Sequence, residues 1–480
     1  MSKARDNRGI GQRVHEWEVD IGRVSIWRRL TPPQLLVGSF ALLIIAGTVG
    51  LKTLPGLYTG PGLNWLDALF TTTSAVCVTG LIVVDTATYF TTWGQAFVLL
   101  LIQLGGLGII TFTTVIILAL GRRLSLRHEV LSASAAQVSP HIDYRRLTVS
   151  ILGFTLGLES IGAALLFLLW APRFGVPHAA WHAVFQSVSA FCNAGFSTFS
   201  NSLMGFQRSA PSLLIIATLI ILGGLGFLTL EELNLLRTAR RTGQNFRLSL
   251  HSRLVLVVTG ILLIGGTIAY AAFEWHVTLN SLPGPLRFVN AFFMSATART
   301  AGFNSIDYSH ASDSTNFLTI LLMGIGGSPG STAGGIKTTT VGLIVMLAWA
   351  RMRGRQDIHA WGRSVPEETL SRAVGLFVVG FAVLTTGIFA LTLSELSAFV
   401  HAARIHGQFL AHMFEATSAF NTVGLSLGVT PHLSTAGRWT AILLMFLGRV
   451  GPLAFAAAIT RSAERRRARY RYSYEDVVVG

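Results

Sequence analysis

Four stretches of this chain set a glycine in the same company: 70-FTTTSAVCVTGL-81, 185-FQSVSAFCNAGF-196, 292-FFMSATARTAGF-303 and 414-FEATSAFNTVGL-425. Aligned without gaps they share Gly80, Gly195, Gly302 and Gly424, at intervals of 115, 107 and 122 residues. Phe70, Phe185, Phe292 and Phe414 stand ten positions earlier, a serine six or seven earlier, and Leu or Phe directly after. The chemistry open to such stretches is that of the backbone. Glycine reaches φ/ψ values that aim successive carbonyls one way and leaves the space they face open. Carbonyls so arranged replace the water around a cation. The candidate ion-binding residues are Val78, Thr79, Gly80, Asn193, Ala194, Gly195, Thr300, Ala301, Gly302, Thr422, Val423 and Gly424. No acidic residue sits at the glycines, so carbonyls rather than carboxylates would do the selecting.

A second motif follows each first one after 24 to 28 residues: 104-LGGLG-108, 222-LGGLG-226, 325-IGGSPG-330 and 447-LGRVG-451. In the first two copies the small residues read as close helix packing. The third copy cannot continue as a helix, because residues 324–335 hold six glycines and Pro329, and proline costs about 3 kcal/mol inside one. A polar loop there, about half a membrane below the glycines, would obstruct the path from the inside. In the fourth copy Arg449 replaces the second glycine. A charge at membrane depth costs about 2.5–3.5 kcal/mol on the insertion scale, so it must face a polar partner, and the loop's carbonyls are the natural one. The candidate gate is Gly326, Gly327, Ser328, Gly330, Ser331, Thr332, Gly334, Gly335, Lys337 and Arg449. Arg449 is expected to latch the loop and repel cations while it is closed. Lys337 is either a second barrier or a snorkelling side chain. Arg299 is expected to brace the third glycine through carbonyls behind it. Asn193, Asn304 and Asn421 serve as neutral braces or as turn residues.

Other motifs lead nowhere. Gly326 to Gly330 spells G-x-S-x-G, but no strand precedes it and proline follows the serine. Residues 330–338 resemble a phosphate loop one residue out of register, with Ile336 where lysine belongs. His178 and His182 lack the intervening glutamate of a zinc helix. Cys77 and Cys192 make no metal spacing. Glu159, alone inside an apolar helix, either pairs with a neighbouring hydroxyl or responds to sodium or protons.

These residues need a membrane around them. The 480 residues are 51% hydrophobic and only 12% charged, against about a quarter charged in a soluble protein. Apolar runs of about 20 residues, long enough to cross a bilayer, start near Leu35, Trp93, Leu147, Pro211, Leu254, Phe317, Ala373 and Trp439. The stretch before each glycine is apolar but too short to span, which suggests a re-entrant helix. The fold expected is all-α and integral to the membrane: four parallel helix–pore-loop–helix repeats around a central pore, with eight spanning helices and four re-entrant pore helices. The segments are 1–30 (cytoplasmic), 31–121, 122–236, 237–350 and 351–461 (the four repeats, the third carrying the 324–335 loop), and 462–480 (cytoplasmic tail). No signal peptide is apparent at the start. The net charge is +15. Five segments (1–30, 121–146, 237–253, 351–372, 461–471) carry 28 of the 37 Lys and Arg, alternating with poor loops. That pattern puts both termini in the cytoplasm and assigns the charge to a membrane surface rather than to nucleic acid.

The four glycine segments, with 299-RTAGFNSID-307 and 327-GSPGSTAGGIKTTT-340, resemble the Trk/Ktr/HKT superfamily of potassium transporters, within it the membrane subunit of bacterial Ktr systems. The resemblance covers roughly residues 32–480. It implies a single-layer selectivity filter of the four glycines, with potassium as the ion because Gly80 is glycine where sodium-selective plant relatives have serine. It also implies that 324–335 is an intramembrane gating loop and that nucleotide regulation belongs to a separate cytosolic subunit ring. The basic loops, including 122–127 and 237–247, are either its docking surface or held by anionic lipid. The tail 470-YRYSYEDVVVG-480 resembles one that packs at a homodimer interface. The expected activity is potassium uptake across the cell inner membrane, with no enzyme activity, no cofactor on this chain, and sodium dependence left open. A coupled secondary transporter predicts inverted repeats and polar midplane groups; the repeats here read as parallel. An intramembrane enzyme would need a substrate pocket.

Overall fold

The computed structural model describes residues 32–108, 144–243, 246–355, 357–399 and 408–451. The N-terminal segment, the basic loop 122–127 and the C-terminal tail lie outside them. The described chain is almost wholly helical. Each of the four copies begins with a long helix: α1 (Pro32–Thr53), α4 (Tyr144–Phe174), α8 (Leu250–Glu274) and α12 (Glu367–Phe399). A short helix comes next: α2 (Trp65–Val76), α5 (Val176–Phe191), α9 (Gly284–Thr297) and α13 (Gln408–Phe420). A second helix closes each copy: α3 (Thr92–Gly106), α6 (Ala210–Leu225), α10 (Asp313–Met323) and α14 (Thr435–Val450). Two further helices, α7 (Phe227–Thr242) and α11 (Thr338–Met352), and a small hairpin of β1 (His359–Ala360) and β2 (Arg363–Ser364) link the copies.

Local chemistry sets many of these ends. Asn64, Thr91, Ser249, Ser312 and Ser434 accept a bond from the backbone of the first turn of their helices, and prolines open α5, α6 and α9, as expected of N-caps and first-turn prolines. Two copies repeat a further brace. The carboxyl of Glu274 at the end of α8 accepts from Ser312 N (3.0 Å) and Oγ (2.9 Å). Glu395 on α12 does the same for Ser434, at 3.0 and 2.8 Å.

Among the described residues, four helices are long and apolar enough to cross a membrane, five if the bent pair α6–α7 counts as one span. The four are the opening helices of the copies. The second helices are shorter than their apolar runs suggested, because each stops at its glycine motif. The chain bends by 102° between α6 and α7, at Gly226 with φ 87°. The outward faces are apolar: Ile261, Ile264 and Ile268 along α8 are each more than 60% exposed. A continuous apolar stripe of this kind is what lipid, not water, stabilises.

The packing is cyclic. The second helix of each copy lies on the short helix of the next: α3 on α5, α6 on α9, α10 on α13, and α14 back on α2. An ion pair between Arg438 on α14 and Asp67 on α2, at 2.5 Å, fastens the closing seam. The glycine motifs serve close approach here, as their small size suggested. A Cβ on Gly105, Gly223 or Gly448 would run into the backbone oxygen of Val76, Phe191 or Phe420, at the end of the short helix of its own copy. Gly448→Ala should therefore destabilise the fold by about 1–3 kcal/mol through overpacking, read as a lower unfolding midpoint in detergent. Gly375→Ala, where a Cβ meets nothing within 4 Å, should leave the midpoint within error.

Candidate ion-conducting site

The C-terminal ends of the four short helices meet. In three copies the helix closes identically: Thr79 N bonds Ser74 O, Ala194 N bonds Ser189 O and Val423 N bonds Ser418 O, each at 2.8 Å. The chain then alternates. Val78, Asn193, Thr300 and Thr422 have φ of 57°, 59°, 75° and 51°. Two residues on, Gly80, Gly195, Gly302 and Gly424 have φ of 92°, 70°, 79° and 93°. Left-handed φ is a genuine outlier for β-branched Val and Thr. The three such residues, in register with Asn193, store strain of roughly 1–3 kcal/mol each, which only a surrounding structure that fixes them can sustain. The third copy reaches the same shape by another route. Its helix ends at the cap residue Ala298, so one extra residue lies before the glycine. This explains the seven-residue spacing from Ser295.

The glycines close a ring. A Cβ on Gly80 would strike Ala194 O and lie 3.0 Å from the Cα of Gly195. On Gly195 it would lie 2.9 Å from Ala301 O; on Gly302 it would strike Val423 O; on Gly424 it would strike Thr79 O. The four copies thus touch in order, first to second to third to fourth to first, leaving no room for a side chain at any corner. Repeated hydroxyls fix the ring from behind. Ser74 Oγ accepts from Gly80 N (3.1 Å) and Ser418 Oγ from Gly424 N (3.0 Å). Ser189 Oγ donates to Phe196 O (2.7 Å) and Thr297 Oγ1 to Phe303 O (2.6 Å). Ser295 instead donates to Leu263 O on α8 (3.0 Å).

Two cavities flank the ring with opposite electrostatics. On one side a 270 Å³ cavity is lined by the four glycines and by Asp85, Asp307 and Asn304 among others, with no basic residue among its lining. On the other side a 350 Å³ cavity is lined by Gly330, Ser331, Ala333, Gly335, Lys337 and Arg449 among others, with no acidic residue.

The 324–337 segment between α10 and α11 stands between this second cavity and the ring. It reaches higher than its sequence position suggested. A Cβ on Gly334 would run into the side chain of Thr422, two residues from Gly424, and one on Gly335 into Asn421. The cause is the break in every second helix, which frees backbone at ring depth to pair with the loop. Ser328 N donates to Gly224 O (3.0 Å), Phe227 N to Gly330 O (3.2 Å) and Gly335 N to Gly448 O (3.3 Å). Thr332 Oγ1 donates to Phe191 O and Gly223 O at 3.2 and 3.1 Å. Within the loop, Gly326 N donates to Ile336 O and Thr338 N to Gly327 O, Ser328 Oγ lies 3.1 Å from Thr338 Oγ1, and Lys337 Nζ donates to Ala333 O at 2.7 Å. Arg449, buried, donates from one guanidinium nitrogen to Thr332 O and from the other to Gly105 O. It joins the third copy's loop to the first copy's helix end.

The asparagines divide. Asn421 donates to Thr417 O (3.1 Å) and its Oδ1 accepts from Ile336 N (3.4 Å), tying short helix to loop. Asn304 donates to Ile306 O (3.0 Å) in the loop after Gly302, and Asn193 packs beside Thr300. Arg299 departs from expectation: its guanidinium donates to Thr259 on α8 (3.3 Å) rather than to carbonyls behind Gly302, because the extra residue in this copy turns it toward the long helix. His182 Nδ1 lies 2.7 Å from Thr198 Oγ1. Among the described residues no three His, Cys, Asp or Glu are placed to hold a metal. Reasoning from sequence set Arg449 against the loop's carbonyls, one of which, Thr332 O, it meets, but missed Gly105 O and the Asp67–Arg438 pair. Removing the Ser418 hydroxyl costs Gly424 N its acceptor, about 1 kcal/mol. Ser418→Ala should speed amide exchange at residue 424 about fivefold, measured by hydrogen exchange of the full chain.

Residues 37–467 match the family model of the cation transport protein TrkH. The chain is 36% identical to the potassium/sodium uptake protein NtpJ of Enterococcus hirae, over 96% of this chain and 100% of that one. It is 38% identical to the Ktr system potassium uptake protein B of Vibrio alginolyticus, over 89% and 91%. In fold it is similar to the crystal structure of the potassium transporter TrkH from Vibrio parahaemolyticus, with a TM-score of 0.69 at 18% identity, over 93% of this chain and 86% of that one.

Proposed function

Because this chain belongs to the TrkH family of cation transport proteins, a family of membrane transporters and not enzymes, we propose that it admits potassium through the ring of Gly80, Gly195, Gly302 and Gly424. The observation that carries the reading is the closed ring, in which each glycine abuts the backbone of the next copy. Backbone oxygens of residues 78–80, 193–195, 300–302 and 422–424 would replace the water around one ion. The short helices point their partly negative ends at it, and Asp85 and Asp307 draw cations to the outer mouth. The relatives' names, potassium uptake and potassium/sodium uptake, support potassium as the ion, and sodium dependence is a separate matter for assay.

The loop at 324–337 is the gate in this reading, and Arg449 its latch. An arginine bonded to the loop and a lysine beside it place two positive charges on the ion's way, which opposes entry as long as the loop stays in place. The full topology proposed is eight spans with four re-entrant helices, divided into the four repeats set out from the sequence. The protein would sit in the cell inner membrane, with both termini cytoplasmic. We also propose a homodimer and a cytosolic nucleotide-binding ring that pulls the loop open.

The test is rubidium and sodium flux into liposomes holding the purified chain. Flux should favour rubidium. Gly80→Ser adds a side chain against Ala194 O at a φ of 92°, and should lower the rubidium preference about tenfold or more. An unaltered preference would remove the ring as the filter. Arg449→Ala should raise flux severalfold without altering the preference; unchanged or reduced flux at equal protein would remove the latch.

A further inference from the structure

The four long helices approach the ring through a shared position. Gly47, Gly162, Gly266 and Gly387 each lie where a Cβ would run into the helices closer to the axis. One turn before them stand Ile44, Glu159, Leu263 and Leu384. Three copies therefore carry an aliphatic side chain at this position and one a carboxyl group, although a buried acid is costly at membrane depth. Glu159 is 4% exposed.

Its partners come from both sides of the seam between the first and second copies. Gln103 Nε2, on α3 of the first copy, donates to Glu159 Oε2 at 3.0 Å. Cys192, the cap residue of α5, turns its thiol to Gln103 Oε1 at 3.3 Å and Glu159 Oε1 at 3.8 Å. Ser187 Oγ donates to the backbone oxygen of Glu159 at 2.7 Å, so α4 and α5 are joined here twice. Cys192 is three residues from Gly195. A Cβ on Gly106 would lie 2.6 Å from its sulfur, and the neighbouring Gly105 O carries Arg449.

We propose that Glu159 is a positioning residue that sets the second copy's corner of the glycine ring, by holding Gln103 and the Cys192 cap to one carboxyl group. The proposal rests on the reading that the ring selects the ion. A carboxyl offers two oxygens, one toward Gln103 and one toward Cys192. An amide in its place offers one acceptor oxygen and a donor, so either the Gln103 amide turns over, taking Oε1 from the Cys192 thiol, or one of the two contacts is lost, while size and shape are kept. The corner at 193–195 then gains freedom, and a ring that fits one ion by position loses discrimination before it loses throughput.

The full chain in liposomes is assayed for rubidium and sodium flux as wild type, Glu159→Gln, Cys192→Ala and Gly80→Ser. Cys192→Ala removes the thiol from the other end and guards against a glutamine variant that folds poorly. The expected result for Glu159→Gln and Cys192→Ala is a rubidium-to-sodium preference about tenfold lower, the weight of one buried hydrogen bond, with rubidium flux per folded protein changed less than the preference. A merely structural role would scale both fluxes together and leave the ratio alone. If Gly80→Ser alters the ratio while the two seam variants keep it, the ring stands and the positioning role is overturned. If none of the three alters it, the filter reading fails and the positioning role fails with it.

Discussion

Backbone that leaves a helix inside a bilayer must find partners within the protein, since lipid supplies none. That constraint organises this molecule. Each copy leaves the helical path twice, once after the short helix and once at the glycine motif of the second helix. The eight breaks are brought to the same small volume, where they satisfy one another. The ring turns are held by hydroxyls from their own helices, and the loop borrows oxygens freed by the breaks in the second and fourth copies. Glycine and strained φ values are tolerated there because the cyclic packing of second helix on next short helix fixes the surrounding backbone.

Charge placement follows from the same geometry. The turns close one ring and the short helices end beside it, with no carboxylate side chain at the glycines. Of the two cavities flanking the ring, one has acid in its lining, Asp85 and Asp307. The other has base in its lining, Lys337 and Arg449. An arginine is sustainable at that depth because two backbone oxygens left by helix breaks receive it. Its lodging therefore depends on the loop being where it is, which is the physical basis for treating the two as one device.

Much of this was legible in the residues. The repeated Phe–Ser–Gly spacing located all four turns, because four copies of one backbone shape demand the same residue types. The density of glycine with Pro329 located the loop, and the cost of an arginine at membrane depth pointed to the loop's carbonyls as its partner. What was not legible depends on tertiary contact. The LGGLG motifs give no local sign that the second helices stop there as well as pack closely. The height of the loop follows from those breaks. Arg299 turns to Thr259 because the third copy carries one extra residue before its glycine, a shift visible only once the helix end is seen. Glu159 was visible as an isolated acid, but Gln103 and Cys192 are 56 and 33 residues away, and nothing in the chain's order pairs them.

The most direct test of the central claim is to see the ion. Crystals grown in rubidium and measured at the rubidium absorption edge should show one dominant anomalous peak on the axis of the ring, bounded by residues 78–80, 193–195, 300–302 and 422–424. A ring without a peak, with rubidium found only beside Asp85 and Asp307, would contradict the account.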